Sequence, residues 1–259
     1  MRKQRGLSIF VLLVFAFLCL PLLIITVTAF GEQPSIQFPI EGFTFQWFKK
    51  VFEISSFVDS FFLSLQISSL ATLLALAVGI PAAYALARYK LPKTAWLKSF
   101  FLSPTVIPGV VVGYALFQFV VVQLQLPIFQ GLLLGHFLIS LPYVIRVVGS
   151  SLEQLDFSIE EVAWTLGCTK PLAFIKVVLP NITSGIFASF MLAFINSFNN
   201  IPVSQFLSGP GVATLPTTLM SYIEYNYDPT VSALSVLLML GTIILMYLIE
   251  KTLGLASVA

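Results

Sequence analysis

Hydrophobic residues run through this chain in long unbroken blocks. An apolar block of about 20 residues crosses the hydrocarbon core of a bilayer as a helix. Six blocks qualify, at about 7–29, 60–86, 99–123, 128–149, 182–206 and 231–249. The three-to-four-residue period of a soluble amphipathic helix is missing from them, as expected of helices set in lipid and against one another. Pro104 and Pro108 stand near the start of the third block and Pro142 inside the fourth. The pattern predicts an all-α integral membrane protein, with six transmembrane helices in one domain over residues 1–259.

Composition agrees. Only 9% of the 259 residues are charged and 58% are hydrophobic, whereas a soluble domain carries about 25% charged residues. This excludes a disordered chain, a secreted disulfide scaffold and a nucleic-acid binder. Cys19 and Cys168 are far apart and suggest neither a disulfide framework nor a metal site. Charge does orient the chain. With the N-terminus in the cytoplasm, 11 of the 13 basic residues fall inside, Lys90, Lys93 and Lys251 among them, and only Lys49 and Lys50 fall outside. N-terminus and C-terminus are therefore expected in the cytoplasm. Arg2, Lys3 and Arg5 would suit a signal peptide. The apolar run behind them exceeds the usual h-region and lacks an A-x-A site, so it reads as an uncleaved anchor.

One inside loop, 151–180, is too polar to cross. It punctuates itself as two short helices, 159–166 and about 171–179. Ser158 and Glu161 have capping-box spacing, Gly167 suits a helix end, and Thr169 with Pro171 restarts a helix that Pro180 stops. The first helix sets Val162, Ala163, Trp164 and Leu166 beside Glu160 and Glu161. Those acids, with Asp156, would be repelled by anionic headgroups, so a protein partner suits the apolar residues better than the membrane surface.

Glu161-Val162-Ala163, Gly167 six residues on, and Val177-x-Leu179-Pro180 ten further resemble the EAA motif of ATP-binding-cassette importer permeases. Val162 and Val177 replace the usual Ala and Ile. The resemblance implies that Glu160, Glu161, Val162, Ala163, Trp164, Leu166, Gly167, Leu179 and Pro180 form the joint to a cytoplasmic ATPase dimer. It also implies a second permease subunit, a paralogue in polyamine-type systems, and an extracytoplasmic substrate-binding protein. Gly79–Arg88, Pro142–Arg146, and the region from Ser197 to Pro229 look like other parts of such permeases, the last like the spermidine/putrescine branch. The chain departs from that branch at Asn199-Asn200, where an acidic residue is common. The missing charge argues against a polycation. Similar permeases import aminoethylphosphonate, opines or other small amines. No G-x-x-x-x-G-K-S/T run occurs, so ATP and Mg belong to the partner ATPase and this chain binds no cofactor.

Polar groups in apolar helices are the candidates for a solute pathway. Asn196, Asn199 and Asn200 are spaced to share one helix face, where they either line a pathway or join helices. Gln118 and Tyr143 add to them. Pro202 should break the helix nearby and free carbonyls that need a neighbour. His136, the single histidine, reads as a packing or hydrogen-bonding residue. An ATP-independent transporter or channel is the competing class. No Asp, Glu, Lys or Arg stands near the middle of a block to couple an ion, which disfavours it. An intramembrane enzyme lacks any recognisable catalytic set.

Overall fold

The first apolar block becomes α1 (Arg2–Thr28), followed by the short α2 (Gln46–Glu53); the second block becomes α3 (Ser55–Arg88). The structure is a computed structural model that describes residues 2–89 and 94–253. Lys90 and Lys93, from the basic set used to orient the chain, lie outside the described residues.

The third block is broken where the sequence predicts one span. α4 (Thr94–Leu102) runs into a 3-10 turn at Ser103–Thr105. α5 (Gly109–Leu116) then leaves at 88° and continues as a π-helix, Phe117–Gln123. Pro104 and Pro108 lack the N–H that a helix needs. Ser103 and Thr105 turn their hydroxyls back onto the carbonyls of Phe100 and Leu102, each at 2.7 Å.

The fourth block is α6 (Ile128–Glu153). The loop after it holds α7 (Ser158–Thr165), α8 (Lys170–Ala173), a π-helical stretch at Phe174–Val178 and α9 (Leu179–Asn181). α10 (Thr183–Phe198) carries the fifth block, bent by 74° from the stretch before it. α11 (Leu215–Tyr225) and α12 (Thr230–Leu253) complete the described chain. The predicted fifth span, 182–206, is too long. The helix ends at Phe198, because Pro202 cannot continue it and the Asn200 side chain takes the Val203 N–H at 3.0 Å.

Three described helices, Leu7–Thr28, Ser55–Arg88 and Ile128–Glu153, are long and apolar enough to cross a membrane; each bent pair could supply one more. Thr230–Ile244 is a shorter apolar helix.

The chain divides into two compact units, one of residues 60–217 and one of the residues on either side. In the first, Ile67, Leu132 and Ile139 close on Val203 and Leu207. Val144, Val148 and Leu152 close on Val178, Ile182 and Ala193. Lipid is as apolar as these side chains, so close packing, more than escape from water, holds such helices together.

In the second unit α1 is exposed along most of its length, and its C-terminal end meets α12 where Thr28 donates to Ser232 Oγ at 3.1 Å. Trp47 of α2 is buried and donates to the Gly31 carbonyl at 2.6 Å. Lys50 bonds the Asp228 carboxylate, which also accepts from Tyr222 and the Thr230 N–H. Tyr222 is thus tied inward while Tyr225 and Tyr227 stay exposed. Hydrogen bonding to Asp228 holds the Lys50 ammonium above its usual range. Burial pushes the Asp228 carboxyl up, but the bonds from Lys50, Thr230 and Tyr222 outweigh it and leave it below the usual range.

The sign follows. The Asp228 contribution is complete above the ordinary Asp range and fades as pH falls through its lowered value. The Lys50 contribution is complete below the ordinary Lys range and fades as pH rises through its raised value. Asp228→Asn should therefore lower the Tm of the detergent-solubilised protein at neutral pH. The gap to wild type should close in acid, as thermal unfolding over a pH series would record.

Candidate functional site

The loop after α6 starts on Asp156, whose carboxylate accepts from the Ser158 N–H at 2.9 Å and the Ser158 hydroxyl at 2.8 Å. These bonds hold Asp156 below the usual carboxylate range, the backbone one first. The expected capping box is not formed. α7 begins one residue early, with Phe157 at the cap, and Glu161 is engaged elsewhere. The end of α7 is as predicted. Gly167 takes φ +89°, its N–H reaches the Trp164 carbonyl at 3.0 Å, and the Cys168 N–H reaches that of Ala163 at 3.0 Å. This is a Schellman turn, and a residue with a side chain would be strained in it. Thr169 precedes the next helix without a side-chain cap bond, and Pro171 sits in its first turn.

The most buried acid in the loop is one expected on its surface. Glu160 is fully enclosed. Tyr84 donates to its Oε1 and Arg88 Nε to its Oε2, the latter at 3.1 Å. Arg88 Nη2 also reaches Glu161 Oε1 at 2.7 Å. The guanidinium lies between two rings, 5.1 Å from Phe157 and 5.1 Å from Trp164. Lys170 covers Trp164 as well, at 5.3 Å. A buried carboxylate is tolerable only when paired and hydrogen-bonded, and here two donors, Tyr84 and Arg88, meet that need, while the two ring faces hold the guanidinium in place. Trp164 is likewise turned inward, onto Arg88. What α7 shows outside is Val162 at 56% and Leu166 at 83% exposure, with Glu161 beside them and Ala163 half-buried. Farther on, Leu179 is half-buried and Pro180 exposed, at the 74° bend.

The pathway candidates do not form one group. Asn196 is on α10, but Asn199 caps it and Asn200 lies beyond, so the shared helix face predicted for the three is not formed. Asn199 is exposed; Asn196 and Asn200 are half-buried. Gln118, in the π-helical stretch, donates to Tyr114 at 3.2 Å, and Tyr143 packs against the core. Sequence reasoning missed Tyr84 and Arg88 as partners of the loop. The available signal was an aromatic and a cation four residues apart at the end of an apolar block, with two acids across the loop needing partners.

A family model described as the binding-protein-dependent transport system inner membrane component matches residues 75–253. The putrescine transport system permease protein PotI of Escherichia coli strain K12 is 30% identical over 238 residues, covering 89% of this chain and 84% of that protein. The spermidine/putrescine transport system permease protein PotC of Haemophilus influenzae is 28% identical over 246 residues, covering 93% and 95%. Among solved structures, a bacterial ABC transporter involved in importing the acidic polysaccharide alginate superposes with a TM-score of 0.76 at 19% identity, covering 97% of this chain and 98% of that one. That last likeness concerns the fold.

Proposed function

The chain belongs to this family of inner-membrane permease components, and from that premise we propose that it forms half of the translocation pathway for a small amine, a polyamine or a related solute such as aminoethylphosphonate. The observation that carries the coupling role is the anchored loop. α7 bares Val162 and Leu166 to a partner while Glu160 roots it on Arg88 and Tyr84. A helix that presents an apolar patch on one side and is tied to a span on the other can pass a push into the membrane. The partner is a cytoplasmic ATPase dimer, which holds ATP and Mg. A paralogous permease supplies the second half, and an extracytoplasmic protein delivers the solute. The skew of basic residues supports N-terminus and C-terminus in the cytoplasm. Transport proceeds by alternating access, with ATP and the docked binding protein each favouring one state through differential affinity.

The amine reading draws on the names of PotI and PotC. With Asn199 and Asn200 in place of an acid, polar groups and not a carboxylate would meet the solute there.

The test is to purify the tagged chain with its co-expressed neighbours and measure ATP hydrolysis with the binding protein and a series of amines. Co-purification of an ATPase and a second permease, with hydrolysis stimulated by one loaded amine, supports the reading. A chain that purifies alone from mild detergent overturns it. Glu161→Lys should abolish uptake with the protein still in the membrane, since it sets a second cation against Arg88 at the joint. Normal uptake by that variant would remove Glu161 from the coupling role.

A further inference from the structure

The sharp end of α10 leaves residues 199–207 as turns inside an apolar unit, and two independent features hold that segment in place. The first is a seat. A Cβ built on Gly113 of α5 would lie 3.0 Å from the Val203 carbonyl oxygen, and one on Gly135 of α6 2.7 Å from Val203 Cγ1. Four residues earlier on each helix, a Cβ on Gly109 would come within 3.0 Å of Pro202 Cβ and one on Gly131 within 3.0 Å of Leu207 Cδ2. The segment thus lies against bare helix faces of α5 and α6.

The second is a tie. His136 of α6 is fully buried. Its Nδ1 is 2.8 Å from Ser197 Oγ, on the last turn of α10, and its Nε2 is 2.9 Å from Ser204 Oγ, in the segment. The proton can be assigned. Ser204 spends its hydroxyl hydrogen on the Asn200 carbonyl at 2.7 Å, so it must accept from His136 Nε2–H. Nδ1 then carries the lone pair and accepts from Ser197.

We infer that His136 is a positioning residue: as a neutral imidazole protonated on Nε2, it clasps Ser197 to Ser204 and fixes where residues 199–207 present their polar groups to the passing solute. The exposed groups are Asn199 and Gln205, with Asn200 half-buried. The link to the solute rests on the permease reading above; the clasp itself does not.

The experiment uses the full transporter, with Cys19→Ser and Cys168→Ser, and Gln205→Cys as a reporter for N-ethylmaleimide. Uptake of radiolabelled putrescine is measured in parallel without the reporter. His136→Ala and Ser204→Ala should each change the labelling rate and raise the uptake KM by about tenfold, the scale of one lost buried hydrogen bond. His136→Gln, which keeps a donor and an acceptor, should restore both. Labelling unchanged in both alanine variants would overturn the clasp. If His136→Ala does not accumulate in the membrane, Ser204→Ala, which deletes one oxygen, decides alone. Absence of putrescine uptake by the wild-type transporter counts against the amine reading, and the labelling result still decides the clasp.

Discussion

Arg88→Leu should abolish solute uptake while ATP hydrolysis continues. The guanidinium supplies the ionic partner of a fully enclosed carboxylate and joins α7 to the end of α3. Its loss leaves Glu160 with Tyr84 alone. Breaking a buried pair from one side costs about 3–5 kcal/mol, because an uncompensated charge remains. The carboxyl would take up a proton or leave the pocket, and in either case α7 loses its hold on α3. Arg88→Leu combined with Glu160→Leu separates stability from coupling. With both charges gone the loop should pack again and the Tm should recover most of its loss. Uptake should not return, because the joint is still severed. The quantity to measure is solute moved per ATP hydrolysed in proteoliposomes. A double variant that transports normally would show that α7 does not act through α3.

Gly113→Leu should prevent the protein from accumulating in a folded form. The added side chain meets backbone, the carbonyl oxygens of Val203 and Pro202 at 3.0 and 3.1 Å from the Cβ itself. Backbone cannot step aside as a flexible side chain does. Overpacking usually costs about 1–3 kcal/mol, with rigid sites at the upper end. Size-exclusion profiles of the solubilised variant would report it as a lost monodisperse peak. Gly149, whose Cβ would meet nothing within 4 Å, provides the control: Gly149→Ala should leave the profile unchanged.

The apolar blocks and the short helices of the loop after α6 were legible in the sequence because both follow local rules. Block length names a span, and Gly167 with its neighbours names a helix end. The places where reading failed depend on partners distant in sequence. Ser158 and Glu161 have capping-box spacing, but Glu161 is drawn to Arg88, 73 residues earlier. Glu160 and Trp164 look like surface residues until α3 supplies a cation for one and a guanidinium face for the other. Asn196, Asn199 and Asn200 would share a helix face if the helix went on. Pro202 ends it, as foreseen, but four residues sooner than the proline itself. The sequence leaves His136 as either a packing or a hydrogen-bonding residue, because its two serines lie 61 and 68 positions away and no spacing rule joins them.

The bend before α10 has the geometry of a crank. The stretch Lys170–Asn181 meets α10 at 74°, close to a right angle. At about 1.5 Å per residue its 12 residues make an arm about 18 Å long. A sideways shift of about 3 Å at the loop end would then turn α10 by about 10° around its own axis, with little travel along it. On the permease reading, small strokes at the loop would become rotation of α10, which would change the direction its polar groups face without moving them along its axis.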